Sequence, residues 1–169
     1  MAAMRIFGLA GWSGSGKTTL MTALIPELVS RGITVSTLKH AHHAFDVDQP
    51  GKDSWRHRQA GAQEVMISSP NRWALMHELR GVPEPSFGEL VERMSPVDLL
   101  LVEGFKRYPH PKIEVYRPSL GKPLLHPEDP FVVAIASDDM LPGLTLPWLP
   151  LSDAGAVAAF ILAHDKCDR

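Results

Sequence analysis

Cysteine is nearly absent from this sequence, and neither sign of charge is in excess. The single cysteine, Cys167, excludes a disulfide framework and a cysteine-based metal knuckle and favours a reducing compartment. Lys and Arg total 17 and Asp and Glu total 19, so the chain lacks the basic excess that a general nucleic-acid-binding protein needs. Its uncharged apolar runs are shorter than the roughly 20 residues that cross a bilayer. We therefore expect a cytoplasmic protein with no nucleic-acid partner and no membrane span.

The predicted elements alternate between strands and helices, which indicates an α/β fold. Apolar or alternating segments predict strands at residues 6–10, 33–38, 97–102, 112–116 and 131–136, with shorter candidates at 65–67 and 73–76. Apolar residues at helical spacing and capping signals predict helices at 17–30, through residue 60, at 86–94 and after residue 152. Because the first strand, helix and second strand form a βαβ unit, their strands should be parallel. We expect residues 1–169 to form one domain, since nothing resembles a domain linker.

Local signals predict where the helices begin or break. Pro26 removes a backbone donor and is expected to kink or split the first helix near Thr22. Asp53 or Ser54 is predicted to cap the second helix, and Ser152 the last one. Ser86, with Glu89 three residues later, has the spacing of a capping box at the start of the third helix.

A glycine-rich segment follows the first predicted strand and opens the first predicted helix. It matches the pattern G-x-x-x-x-G-K-[ST] through Gly11, Trp12, Ser13, Gly14, Ser15, Gly16, Lys17 and Thr18, with Thr19 after it. Backbone N–H groups in such a loop, together with the positive end of the helix, bind a polyphosphate. Lys17 then contacts the β- and γ-phosphates, Thr18 ligates Mg²⁺, and Thr19 donates to the α-phosphate. The motif predicts a P-loop nucleotide-binding domain with three layers and a mostly parallel central sheet.

Two acidic residues flank the apolar segment 99–102, and their positions separate their roles. Asp98 precedes the segment and Glu103 follows it. Ligands bind at the carboxyl ends of parallel strands, and one strand of this length separates the two acids by about 16 Å. Glu103 is therefore predicted to lie at the phosphates and to share Mg²⁺ with Thr18, whereas Asp98 is predicted to have no chemical role.

A polar loop with three histidines and two aspartates follows the second predicted strand. It contains His40, His42, His43, Asp46 and Asp48. These residues suggest a transition-metal site, although their spacing is not that of a closed zinc site. A second interpretation is a switch-like loop in which Asp46 or Asp48 contacts the magnesium shell or an attacking water. A third is a solvated loop with no chemistry.

Several basic residues lie near predicted loop or strand ends. If these residues lie apart from one another, they are solvated surface charges. If they cluster, they could hold the phosphate of a second ligand. The sequence leaves both interpretations open. The residues are Lys52, Arg56, Arg58, Lys106, Arg107 and Lys112.

Five segments together resemble one family, the molybdopterin-guanine dinucleotide biosynthesis protein B family of GTP-binding adaptors in molybdenum cofactor maturation. The segments are Gly11–Thr19, Leu38–His43, Asp46–Ser54, Arg56–Gly61 and Val102–Lys106. The resemblance implies a P-loop fold, a homodimer, weak Mg²⁺-dependent GTP hydrolysis, and cooperation with the guanylyltransferase that attaches GMP to molybdopterin. In this interpretation Lys17, Asp46 and Glu103 are the candidate catalytic residues. A small-molecule kinase and a binding scaffold without turnover are the alternatives.

The base of the nucleotide is predicted to lie near Asp138. The chain lacks an Asn-Lys-x-Asp guanine motif, and Ser137, Asp138 and Asp139 follow the predicted strand 131–136 instead. A carboxylate at the ligand-binding edge of the sheet can accept hydrogen bonds from guanine N1–H and the exocyclic amine. Asp139 could exchange roles with Asp138, and a turn-capping role for Asp138 is the alternative.

Overall fold

The computed structural model of this chain describes residues 4–41 and 45–164. The loop histidines His42 and His43 and the single cysteine lie outside the described residues. In chain order the strands are β1 (Arg5–Ala10), β2 (Val35–Lys39), β3 (Glu64–Ser68), β4 (Trp73–His77), β5 (Leu99–Glu103), β6 (Lys112–Tyr116), β7 (Val132–Ser137) and β8 (Trp148–Pro150). The helices are α1 (Lys17–Ser30), α2 (Asp53–Gln59), α3 (Phe87–Glu92) and α4 (Ala154–His164). They belong to two compact units, one within residues 1–40 and 95–169 and the other within 41–94.

The first unit is built on a six-stranded sheet with the order β2-β5-β1-β6-β7-β8. Every neighbouring pair in it is parallel, so the predicted α/β fold with a parallel central sheet is confirmed. Strand β5 lies between β1 and β2, which brings the carboxyl ends of these three strands together. Strand β8 was not predicted, because it is three residues long, follows Pro147 and ends at Pro150.

The two faces of this sheet differ in polarity. One face packs against α1 and α4 through side chains that alternate along the strands, such as Phe7 and Leu9 of β1, and through Leu24 of α1. The opposite face carries Lys112 and Glu114 of β6, which are 1% and 0% exposed. Buried charged side chains must be paired or hydrogen-bonded to be tolerated, and both have such partners in the loops that follow β5 and β6.

Helix α1 is unbroken, so the prediction that Pro26 would split it near Thr22 is wrong. Pro26 lies inside the helix, and both Pro26 and Thr22 are exposed. Proline removes the hydrogen bond to the carbonyl four residues earlier. Here that carbonyl belongs to a residue on the solvent side of the helix, where water can satisfy it.

The predicted caps are correct for one helix and wrong for two. Ser86 and Glu89 form the predicted capping box at the start of α3. Lys52, without a side-chain cap, precedes α2, and Asp53 is its first residue. At α4 the Ala156 N–H donates to Asp153 Oδ1 at 2.8 Å, so Asp153 caps the helix where Ser152 was predicted. In both cases neighbouring polar residues compete for the same position, and local sequence does not rank them.

The second unit contains α2, α3 and an antiparallel hairpin of β3 and β4. The hairpin forms its own two-stranded sheet and does not join the parallel one. One face of the hairpin bears Met66, Trp73 and Leu75, which are 63%, 66% and 45% exposed. Among the described residues, none of the helices is long and apolar enough to cross a bilayer.

Candidate functional site

The glycine-rich loop joins the carboxyl end of β1 to α1, where the sequence placed it. Its first glycine is tightly enclosed, because a Cβ at Gly11 would lie 2.4 Å from Val115 O and 2.7 Å from Ser15 Oγ. Ser15 is buried, and its Oγ has no hydrogen-bond partner among the described residues. The start of the loop is therefore held against Val115 of β6, whereas Ser13 and Gly14 are exposed to solvent.

The Lys17 side chain is hydrogen-bonded to the backbone of the same loop. Its Nζ donates to Gly11 O at 3.0 Å and to Trp12 O at 2.8 Å. Burial lowers the pKa of Lys17 from its ordinary value; Glu103 opposes this shift, whereas Lys106 and Lys39 add to it. A half-buried ammonium group with like charges beside it favours the binding of an anion, because the negative charge would offset the repulsion between the lysines.

Glu103 ends β5 and meets both of the neighbouring strands. In register it pairs with Leu9 of β1 and Lys39 of β2. Thr18 Oγ1 donates to Glu103 Oε1 at 3.4 Å, and Lys39 Nζ lies 3.5 Å from the same oxygen. The hydroxyl and the carboxylate are oxygen donors of the kind that Mg²⁺ prefers. This donor set fits the predicted magnesium site.

These residues line a depression of about 380 Å³, a volume within the range of small-molecule sites. It is bounded by Ser13, Gly14, Gly16, Lys17, Thr18, Thr19, Lys39 and Glu103. Seven of these were predicted from the sequence. Lys39 was missed, although its position at the carboxyl end of β2 was a usable signal.

Asp98 lies at the other end of β5, as its position before the apolar segment predicted. Its Oδ2 accepts from the Thr34 N–H at 2.8 Å and from Thr34 Oγ1 at 2.6 Å. These hydrogen bonds lower the pKa of the Asp98 carboxyl. Asp98 therefore connects β5 to the start of β2 and is not near the phosphate loop.

A strained turn directly after Glu103 sets the direction of the chain. Gly104 and Phe105 have φ values of +95° and +47°. A Cβ at Gly104 would lie 2.9 Å from the His40 Cβ, and His40 packs on Phe105 with ring centroids 4.8 Å apart. The His40 N–H donates to Glu103 O at 2.9 Å. Close contact with His40 explains why glycine follows Glu103.

Asp138 follows β7 at the same edge of the sheet, and Arg117 lies beside it. Arg117 Nε donates to Ser15 O at 3.2 Å and is 3.7 Å from Asp138 Oδ2. The turn is held by Ser137 Oγ, which donates to Asp139 O at 2.6 Å. Arg117 was missed from the sequence. The sequence showed only that Arg117 follows a strand. Its contact with Ser15 could not be predicted, because the two residues are 102 positions apart in the chain.

Asp46 belongs to the second unit, where it is tied to an arginine. Both carboxylate oxygens accept from Arg58 Nη2, at 2.7 and 2.8 Å, and this hydrogen bonding lowers the pKa of Asp46. Arg58 also pairs with Asp48 and Glu78, each at 3.0 Å. No group of three or more potential metal ligands occurs within 4–41 and 45–164. The catalytic role of Asp46 stays a prediction, and the motif around it is explained here as an ion-pair cluster centred on Arg58.

The comparison with known families decides the affiliation of this chain. The family model for Molybdopterin guanine dinucleotide synthesis protein B, MobB, matches residues 6–138. The chain belongs to the MobB family. The matched range includes the phosphate loop, Asp46, Glu103, Arg117 and Asp138.

Relatives of this MobB-family chain carry a consistent name. It is 47% identical over 137 residues to the molybdopterin-guanine dinucleotide biosynthesis adapter protein of Haemophilus influenzae, covering 79% of this chain and 74% of that one. It is 43% identical over 163 residues to the Escherichia coli protein of the same name, covering 93% and 91%. The family resemblance noted in the sequence is confirmed.

Solved MobB structures share the fold. A crystal structure of molybdopterin-guanine biosynthesis protein B matches with a TM-score of 0.73 and 28% identity, over 94% of this chain and 99% of that one. Bacillus subtilis MobB matches with a TM-score of 0.73 and 24% identity, over 95% and 97%. The parallel sheet and flanking helices are therefore the MobB architecture.

Proposed function

We propose that this chain is a GTP-binding adaptor that hydrolyses GTP slowly and assists the guanylyltransferase in converting molybdopterin to molybdopterin guanine dinucleotide. The observation that carries the proposal is the meeting of Lys17, Thr18 and Glu103 at one edge of the sheet, in a chain whose relatives are named adapter proteins of this biosynthesis. The single-domain organisation and cytoplasmic location expected from the sequence remain part of this proposal.

Each part of the phosphate site has a distinct role in this proposal. The N–H groups of residues 11–19 and the Lys17 ammonium bind the β- and γ-phosphates, for which Lys17 exchanges its carbonyl partners in the loop. Thr18 and Glu103 would hold Mg²⁺, which would neutralise charge on the phosphate oxygens. Asp46 is retained as a candidate for orienting the attacking water, and its hydrogen bonds to Arg58 support an ionised carboxylate there.

Guanine selection is assigned to Asp138. Its exposed carboxylate stands at the end of β7, beside Arg117, which also touches the phosphate loop through Ser15 O. A carboxylate in this place can accept from both N1–H and the amine of guanine, whereas adenine would present a lone pair to it. Arg117 is proposed to position Asp138 relative to the phosphates.

A homodimer is the assembly that we propose, as the family resemblance implies. Support comes from the exposed hairpin face of Met66, Trp73 and Leu75, because apolar side chains grouped on one face favour a protein contact. Light scattering coupled to size-exclusion chromatography tests this directly. A mass of one chain across the working concentration range would reject the homodimer.

The central experiment measures what happens to labelled nucleotide. The protein is incubated with GTP or ATP labelled at the γ-phosphate, with Mg²⁺, and with or without molybdopterin and the guanylyltransferase. We expect preferential GTP binding, slow phosphate release to water, and faster dinucleotide formation when the protein is added. Transfer of the label to an acceptor would indicate a kinase, and binding without turnover would indicate a scaffold.

A further inference from the structure

Two lysines lie against one aromatic side chain of the phosphate loop. Lys106 Nζ is 4.8 Å from the centroid of the Trp12 ring, and Lys122 Nζ is 5.9 Å from it. Trp12 is itself fixed, because its Nε1 donates to Pro123 O at 2.8 Å. Cations at these distances are attracted by the ring. The arrangement therefore holds two positive charges, from two different loops, next to Trp12.

The first of these loops, which follows β5, is anchored by a buried charge. Lys112 is 1% exposed, and its Nζ donates to Lys106 O at 2.8 Å, to Tyr108 O at 2.9 Å and to Asp129 Oδ2 at 3.0 Å. Burying an ammonium group is costly unless its donors are satisfied. Lys112 was among the basic residues considered for a second ligand's phosphate, but it is buried and its hydrogen bonds instead fix the backbone that carries Lys106.

The second loop, which follows β6, is anchored in a similar way. Glu114 is fully buried, and its carboxylate accepts from the Leu125 N–H at 2.7 Å and the His126 N–H at 3.0 Å. Together with the bond from Trp12 to Pro123, this holds the segment just after Lys122. Lys112 and Glu114, two buried side chains at alternate positions of β6, thus fix the loops that carry Lys106 and Lys122.

Neither lysine of the pair forms an ion pair within its own unit. Among the described residues of the first unit, no carboxylate oxygen lies within 4.0 Å of either ammonium nitrogen. A site with two unpaired cations beside an aromatic ring favours a small anion of charge near −2, and a phosphomonoester carries about −1.5 to −2 at neutral pH.

We propose that Lys106 and Lys122, which both lie beside Trp12, form a binding site for a phosphomonoester that is not part of the bound nucleotide. The chemical class follows from the proposed function, on which this inference rests: attaching a nucleoside monophosphate to make a dinucleotide requires an acceptor that ends in a phosphate. The nucleotide's own phosphates are provided for by the loop N–H groups and Lys17. The lysine pair would then hold the acceptor's phosphate next to the nucleotide.

The test is a calorimetric titration of the full chain with phenyl phosphate, after saturation with Mg²⁺ and a non-hydrolysable GTP analogue that fills the γ-phosphate position. The double variant Lys106→Gln/Lys122→Gln is compared with Arg72→Gln/Arg93→Gln, which removes the same charge from exposed positions. We expect the lysine variant to bind phenyl phosphate about 10-fold more weakly or worse, since losing charge-assisted hydrogen bonds has effects of this size. The arginine variant should stay within about 2-fold of wild type, as expected for screened surface charges.

Two results would overturn the proposal. One is equal phenyl phosphate binding by wild type and the lysine variant, and the other is a loss confined to the affinity for the GTP analogue, which would assign the lysines to the γ-phosphate. The same titration on nucleotide-free Lys17→Met protein separates this inference from the proposed function. If no nucleotide binds to wild type, the proposed function fails, whereas loss of phenyl phosphate binding on removing Lys106 and Lys122 would still establish the anion site. Unchanged thermal unfolding confirms that the variants are folded.

Discussion

Replacing Gly104 with alanine should damage both stability and the metal-dependent part of nucleotide binding. Gly104 has φ of +95°, where an L-residue is strained by about 1–2 kcal/mol. The added Cβ would lie 2.9 Å from the His40 Cβ, with His40 backbone atoms at 3.3 and 3.4 Å. Because backbone cannot rotate away, relief requires β2 to move from the end of β5, an overpacking cost of about 1–3 kcal/mol.

The two costs together predict a loss of about 2–5 kcal/mol, which lowers Tm by about 4–20 °C for a chain of this size. Thermal unfolding of Gly104→Ala measures the sum. Gly32→Ala is the matched control in the same unit, because Gly32 has φ of +79° and open space around its position. The control carries the backbone strain alone, so the difference between the two variants measures the clash with His40.

Magnesium dependence provides the second readout of the same variant. The His40 N–H donates to Glu103 O, so moving His40 displaces the end of β5 and the carboxylate that meets Thr18. We expect nucleotide binding by Gly104→Ala to require more Mg²⁺ than wild type. Equal Tm losses in the two glycine variants, with an unchanged Mg²⁺ titration, would refute this account of the turn.

Four further predictions concern single side chains. Lys17→Met should bind GTP about 10-fold more weakly or worse and lose most hydrolysis, because a charge-assisted phosphate contact disappears; Lys52→Met, an exposed control, should bind normally, and unchanged turnover by Lys17→Met would eliminate the phosphate-loop assignment. Glu103→Gln should steepen the Mg²⁺ requirement of nucleotide binding and leave metal-free binding unaltered, so superimposable titrations would exclude Glu103 from the metal shell. Asp138→Asn should shift preference from GTP toward XTP in direct competition, and an identical order of preference would contradict the base assignment. Burial lowers the pKa of His110 from 6.5 to about 4, so as the pH falls the unfolded chain binds a proton before the folded chain does. The free energy of unfolding should therefore fall by about 3 kcal/mol in total as the pH drops from 6.5 through 4. Urea titrations that show no such pH dependence, or the same dependence in His110→Gln, would rule this out.

Local patterns were enough to predict most elements and seven of the eight residues that line the phosphate site. The phosphate loop is a contiguous motif, and Glu103 could be chosen over Asp98 because strand direction is fixed by parallel pairing. Helix ends were less predictable. Lys52 and Asp153 occupy cap positions that Asp53 and Ser152 could equally have filled, and Pro26 was tolerated only because the carbonyl it leaves unpaired belongs to the exposed Thr22.

The sequence alone was enough to predict those site residues that are contiguous in the chain or directly follow a strand, namely the loop 11–19, Glu103 and Asp138. Its family motifs also predicted the affiliation with MobB. Only the tertiary structure decided which distant residues meet. Arg117 donates a hydrogen bond to Ser15. Both Lys106 and Lys122 lie beside the Trp12 ring. Arg58 forms ion pairs with Asp46, Asp48 and Glu78. The order β2-β5-β1-β6 also places Lys39 beside Glu103. Such contacts depend on strand order and loop path, which are set by packing of the whole sheet and leave no periodic signal in the sequence.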